Sequence, residues 1–171
     1  MTQRRPEVTE YAARLARYVE MVPETDIAAA LLEQLEATRA FLGSLPEQVH
    51  DHRYAEGKWT IREVLGHILD TERIFGFRLL RIARGDASAI TRTDENLYVR
   101  NAQFGRFTMG ELLEEFALVR RANVMLVERM PEEAWERTGV VADAPVSARA
   151  VAYLMVGHER HHLQVVRERY L

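Results

Sequence analysis

Apolar residues recur every three or four positions over four long stretches of the chain, the period of a helix with one buried face. After Pro23, Thr25 and Asp26 can cap a helix from about Ile27 to Leu42, with Ile27, Leu31, Leu35, Thr38 and Leu42 on one stripe. Gly43-Ser44-Leu45-Pro46 ends it. A second helix starts at Thr60-Ile61-Arg62-Glu63, a capping box in which the hydroxyl takes an orphan N–H and the glutamate reaches back. It runs to about Ala83, before Gly85, on a stripe of Val64, Ile68, Phe75, Leu79 and Ile82. The third opens in the same way at Thr108-Met109-Gly110-Glu111 and runs to about Met130, before Pro131. The fourth follows Pro145, capped by Ser147, and continues almost to the end of the sequence.

Weaker helical patterns lie near Pro6–Val22 and Asp94–Phe104, and no segment alternates with period two long enough to predict a strand. No repeat, low-complexity tract or linker divides the chain. The expectation is an all-α fold, a four-helix bundle forming one domain over residues 1–171. The connection between the second and third helices, about 25 residues, is long enough to predict local structure or a functional role.

Composition narrows the function classes. The 171 residues carry 23 basic and 26 acidic side chains, a net charge of −3, which gives no electrostatic case for nucleic acid or an anionic membrane as partner. There is no cysteine, so disulfides, thiolate metal sites and cysteine nucleophiles are excluded, and a reducing cytoplasmic setting is the expectation. The polar start, Met1-Thr2-Gln3-Arg4-Arg5-Pro6, lacks the apolar core of a signal peptide or of a twin-arginine leader. No apolar run approaches the ~20 residues of a membrane span.

Three of the six histidines fall in His158-Glu159-Arg160-His161-His162. The fourth helix's apolar seam reads Val151, Leu154, Met155, His158, His162, Val165, so two imidazoles occupy successive turns of a core-facing stripe. Such a pair is costly unless hydrogen-bonded or coordinated, and neutral imidazole suits zinc, nickel, copper or iron. A lone histidine on an apolar face would be read as a satisfied core residue; two at ligand spacing make a metal site an equal contender. The same residues match H-E-x-x-H, the zinc-peptidase helix. Only nine residues follow His162, however, and Val165 and Glu168 stand where the extended motif needs glycine and histidine. Glu159, about 100° around the helix from His158, is expected to face solvent.

A further ligand should come from a facing helix, and His67, at the edge of the second helix's stripe, is the best candidate. His161 is the runner-up on the fourth helix. His50 and His52 lie in a polar stretch and read as solvated.

These motifs resemble a known family, the DinB-like or YfiT-like bundles of bacteria, regarded as metal-dependent enzymes. The run from Gly57 to Arg73, with Trp59, the capping Thr60, His67 and Asp70, is similar to the family's second-helix signature. Gly157-His158-Glu159-Arg160-His161-His162 is similar to its fourth-helix signature. Arg5-Pro6, Glu10-Tyr11, Tyr18–Pro23 and Asp94-Glu95-Asn96-Leu97-Tyr98 resemble one branch of these proteins. The resemblance covers nearly the whole chain. It implies three metal ligands at His67, His158 and His162, an up-down-down-up bundle and a homodimer.

Three histidines would leave a position open on a divalent ion, the catalytic rather than the structural arrangement. The resemblance implies either hydrolysis or thiol transfer on a small molecule, and the sequence does not choose between them. Asp70 and Glu72 are candidates to hydrogen-bond a ligand imidazole, with plain surface acids beside Arg73 as the competing reading. Trp59 and Tyr98 are candidates to line a pocket, though Trp59 also suits a hydrophobic staple before Thr60. Two other readings stay open: a non-catalytic stress or binding protein with a structural metal, and a metal-free bundle whose histidines bond to acids.

Overall fold

The computed structural model describes residues 3–171. Met1 and Thr2 of the polar N-terminal stretch lie outside the described residues. Its helices are α1 (Ala16–Glu20), α2 (Ile27–Gly43), α3 (Ile61–Ala83), α4 (Glu95–Ala102), α5 (Met109–Glu128) and α6 (Ala148–Arg169). The four long ones, α2, α3, α5 and α6, are the bundle expected from periodicity.

Their starts are set by local chemistry. The Asp26 carboxylate accepts from the Ala29 N–H, and the Ser147 hydroxyl accepts from the Ala150 N–H. Thr60 with Glu63, and Thr108 with Glu111, form complete capping boxes.

Helix α2 packs against α5 and α6, and α3 packs against the same two, so α2 lies diagonally across from α3. The core has two apolar halves. One joins the C-terminal part of α2 (Leu35, Leu42) and the N-terminal part of α3 (Ile61, Leu65) to the N-terminal part of α5 (Leu112, Phe116) and the C-terminal part of α6 (Leu163, Val166). The other joins Ile27 and Leu31 of α2 to Leu79 and Ile82 of α3, Val124 and Val127 of α5, and Val151 and Met155 of α6. Those pairings fix the directions as up, down, down, up.

A layer of buried charge separates the halves. Arg120 of α5 is fully buried. It donates from Nε and Nη2 to Glu72 of α3, both at 2.9 Å, from Nη2 to Glu159 of α6 at 2.7 Å, and from Nη1 to the Leu31 carbonyl at 3.3 Å. Asn123 also donates to Glu72, while Gln34 and Thr38 of α2 donate to Glu159. Burial alone would lower the Arg120 pKa, but the two carboxylates outweigh it and hold it above the ordinary value. Glu159 is therefore not the solvent-facing residue its angle from His158 predicted; it is 1% exposed. The residue turns away from His158 but toward α2 and α5, because α6 has neighbours on both sides.

Two further expectations change. Residues 138–147 form an antiparallel hairpin, β1 (Thr138–Val141) paired with β2 (Ala144–Ser147), where no strand was predicted. Its two-residue loop places Ala142 and Asp143 at φ 50° and 64°, a type I′ geometry that usually announces itself with Asn-Gly. The stretch Pro6–Val22 is helical only over α1 and two short 3-10 turns, Val8–Glu10 and Ala13–Leu15. Tyr11, Tyr18, Val19 and Val22 are buried there beside the first half of α6, which is enclosed on all sides. No helix among the described residues is long and apolar enough to cross a membrane.

Candidate metal centre

Helices α3 and α6 run antiparallel and bring His67 against His158 and His162. One nitrogen from each ring lies within 4.8 Å of the others, a group of three with no fourth histidine, aspartate or glutamate among the described residues. The His158 Nε2 is 3.1 Å from the Nε2 of His67 and 3.1 Å from that of His162. Imidazole nitrogens sharing one ion at about 2.1 Å stand ~3.0–3.4 Å apart, from right-angled to tetrahedral geometry. The two measured separations fall inside that range. A hydrogen-bond account is poorer: one neutral ring nitrogen at the centre cannot donate to both neighbours.

The setting keeps the rings in the neutral form a metal requires. Burial pushes the His67 pKa down to about 4 and that of His162 to about 2. For His158, burial and then the neighbouring imidazoles hold it well below the ordinary value. Tyr18 and Phe75 stand edge-on to the His158 ring, with centroids at 5.5 and 5.7 Å. The Trp59 indole tilts over His67 at 4.7 Å and over His162 at 6.4 Å. Trp59 also packs against the adjoining half of the core.

The imidazoles form part of the wall of a cavity of about 330 Å³. Trp59, Asp70, Tyr98 and His161 also line it. His161 stands outside the three-nitrogen group, edge-on to Tyr18 at 5.4 Å. Asp70 is half-buried, with burial raising its pKa, and its near partner is Arg73 at 3.9 Å rather than an imidazole. Glu72 does not reach an imidazole either; the buried Arg120 and Asn123 hold its carboxylate. His50 is buried, its ring nitrogen 3.0 Å from the Leu45 carbonyl oxygen, and not the solvated residue its polar surroundings predicted. His52 is exposed. The long connection between α3 and α5 carries α4, and its residues Arg92, Thr93, Glu95 and Tyr98 form one side of the cavity.

A family model of the DinB superfamily matches residues 30–166. The chain belongs to the DinB superfamily. Among solved structures, it is similar to YfiT from Bacillus subtilis, described as a probable metal-dependent hydrolase with an unusual four-helix bundle topology. That match has 16% identity and a TM-score of 0.75, covering 96% of this chain and 93% of the other. It is also similar to YjoA, a DinB-like protein from Bacillus subtilis, with 20% identity, a TM-score of 0.58 and coverage of 82% and 86%. At such identities these likenesses establish the DinB-like bundle and nothing finer. No functionally curated protein matches the chain.

Proposed function

We propose that this DinB-superfamily protein is a metal-dependent enzyme acting on a small molecule. In this reading His67, His158 and His162 hold one divalent ion, zinc or nickel, and the adjoining cavity takes a substrate for hydrolysis or for transfer of a thiol. The observation that carries it is the convergence of three desolvated imidazole nitrogens on the wall of that cavity. A histidine-bound ion with a coordination position free would supply Lewis acidity there. A closed structural site would need a fourth protein ligand, and among the described residues the group has three members.

The chain's own part is positioning. Trp59 packs on His67, Tyr18 and Phe75 pack on His158, and these contacts keep water from the inner side of the cluster and fix the ring planes. The nickel-or-zinc choice follows from an all-imidazole donor set, which affinity order alone does not resolve.

Metal content of tag-free protein, wild type beside His162→Ala, tests the reading. About one equivalent in the wild type, lost in the variant, is expected. Thiols and labile esters then serve as test substrates, with turnover abolished by chelator. Absence of metal in both proteins, with melting unchanged by added zinc or nickel, would overturn it.

A further inference from the structure

The cavity has a second chemical character at its other end. Its charged lining comprises Arg14, Arg17, Arg78 and Arg92 against only Asp70 and Glu95. None of the four arginines has a carboxylate within 4.0 Å among the described residues, whereas Asp70 is already beside Arg73. Arg17 is engaged with Tyr18, donating to its hydroxyl at 2.8 Å. Arg78 differs from an ordinary solvated arginine: its Nε is buried and has no hydrogen-bond partner. Burial, and then the charge of nearby Arg14, holds its pKa below the ordinary value. A buried guanidinium N–H without an acceptor, facing a like charge, is an arrangement that an oxyanion would complete.

Position gives the ligand a length. Arg78 and His67 lie on the same helix, 78 − 67 = 11 residues apart, or roughly 16 Å of axial rise. Both side chains lean toward the helix N-terminus, the longer arginine further than the histidine, so the guanidinium stands somewhat less than that rise from the His67 ring. The wall between them carries Ile74, Phe75 and Leu154, with Asp70 and Thr71 on the side nearer His67.

We infer that the cavity takes an elongated small molecule whose carboxylate or phosphate end is bound by Arg78 with Arg14 and Arg92, its apolar body against Phe75 and Leu154, and its reacting end at the histidine cluster. The inference rests on the proposed use of this cavity as the substrate site, and adds the substrate's charge and length.

The test is calorimetric titration of the full chain with three probes: 4-phenylbutyrate, its neutral amide, and 3-phenylpropyl phosphate. An acid should bind roughly tenfold or more tightly than the amide, the ratio expected of hydrogen bonds to a charged group. The tighter of the two acids identifies the source of the oxyanion. That advantage should vanish in Arg78→Met and in Arg14→Met. Arg14 is exposed, so its replacement leaves the fold intact even where Arg78→Met does not. Arg169→Met, at an exposed arginine outside the cavity, should retain the advantage. His162→Ala should lose metal yet keep the acid preference, so failure of the metal reading and failure of this one are distinguishable. Equal binding of acid and amide, or a preference that survives both Arg78→Met and Arg14→Met, would overturn the inference.

Discussion

Replacing Arg120 by methionine tests the charged layer that divides the bundle core. The substitution roughly preserves length and apolar volume but deletes four hydrogen bonds, three to carboxylates and one to the Leu31 carbonyl. It leaves Glu72 and Glu159, at 3% and 1% exposure, without their cation. Breaking a buried ion pair by removing one partner costs about 3–5 kcal/mol, because the stranded charge has lost its solvation and its counter-ion together. A protein of this size shifts its melting point by about 2–4 °C per kcal/mol, so a fall of about 6–20 °C is expected by differential scanning calorimetry. The sign of the pH effect separates charge from packing. A stranded carboxylate takes up a proton more readily than one in the unfolded chain, so the penalty is full at pH 8 and shrinks as the pH falls to 5. Adding Glu159→Gln to Arg120→Met should recover part of the loss at pH 8. A loss below about 1 kcal/mol, the range of exposed pairs, or one that is identical at pH 5 and pH 8, would refute the argument.

Three further outcomes follow from the same geometry. Gly157→Ala should destabilise, although glycine to alanine inside a helix ordinarily adds about 1 kcal/mol; a Cβ there overlaps the Tyr18 backbone carbonyl, and a rise in melting temperature would show that the α1 segment yields. Metal-free protein should lose stability as the pH falls from 6.5 toward 4, since the folded-state pKa of His67 is depressed to about 4 and the unfolded chain then binds the proton first. That histidine alone accounts for about 3 kcal/mol over the window, and a melting temperature flat between pH 7 and pH 4.5 would contradict its burial. Trp59→Ala should weaken metal binding several-fold by freeing the His67 ring, measured by competition with a chromogenic chelator.

The parts of this molecule that could be read from sequence are those set by neighbours within one turn. Thr60 with Glu63, Thr108 with Glu111, and the cap at Ser147 are decided by residues three apart, and the structure starts α3, α5 and α6 there. His158 and His162 share a helix face for the same reason. The hairpin escaped because its turn residues, Ala142 and Asp143, carry no strong signal for left-handed backbone and its strands are four residues each. The charged layer escaped because nothing local singles out Arg120, Glu72 reads as a partner for an imidazole or as a surface acid, and Glu159 is placed by its angle from His158 alone. Its signal was nevertheless present: Glu72 continues the α3 stripe from Ile68 to Phe75, Arg120 continues α5 from Phe116 to Val124, and Glu159 continues α6 from Val156 to Leu163. Three charges, one arginine and two glutamates, interrupting three apolar stripes at mid-helix indicate a buried network.

That network bears on the histidine cluster through the rotation of one helix. His158 and Glu159 are adjacent on α6 and face opposite neighbours, the imidazole toward α3 and Tyr18, the carboxylate toward α2 and α5. Apolar packing alone fixes the rotation of α6 loosely, because its first half is enclosed on every side and is apolar apart from Arg149 and the Tyr153 hydroxyl. The Glu159 carboxylate, by contrast, has its acceptor directions satisfied at one rotation, with Arg120, Gln34 and Thr38 converging on it. Turning α6 enough to move His158 and His162 off His67 would strand that charge in the core. The charged layer thus holds the register in which three imidazole nitrogens meet. Arg120→Met should therefore lower metal affinity as well as stability, although Arg120 lies outside the three-imidazole group.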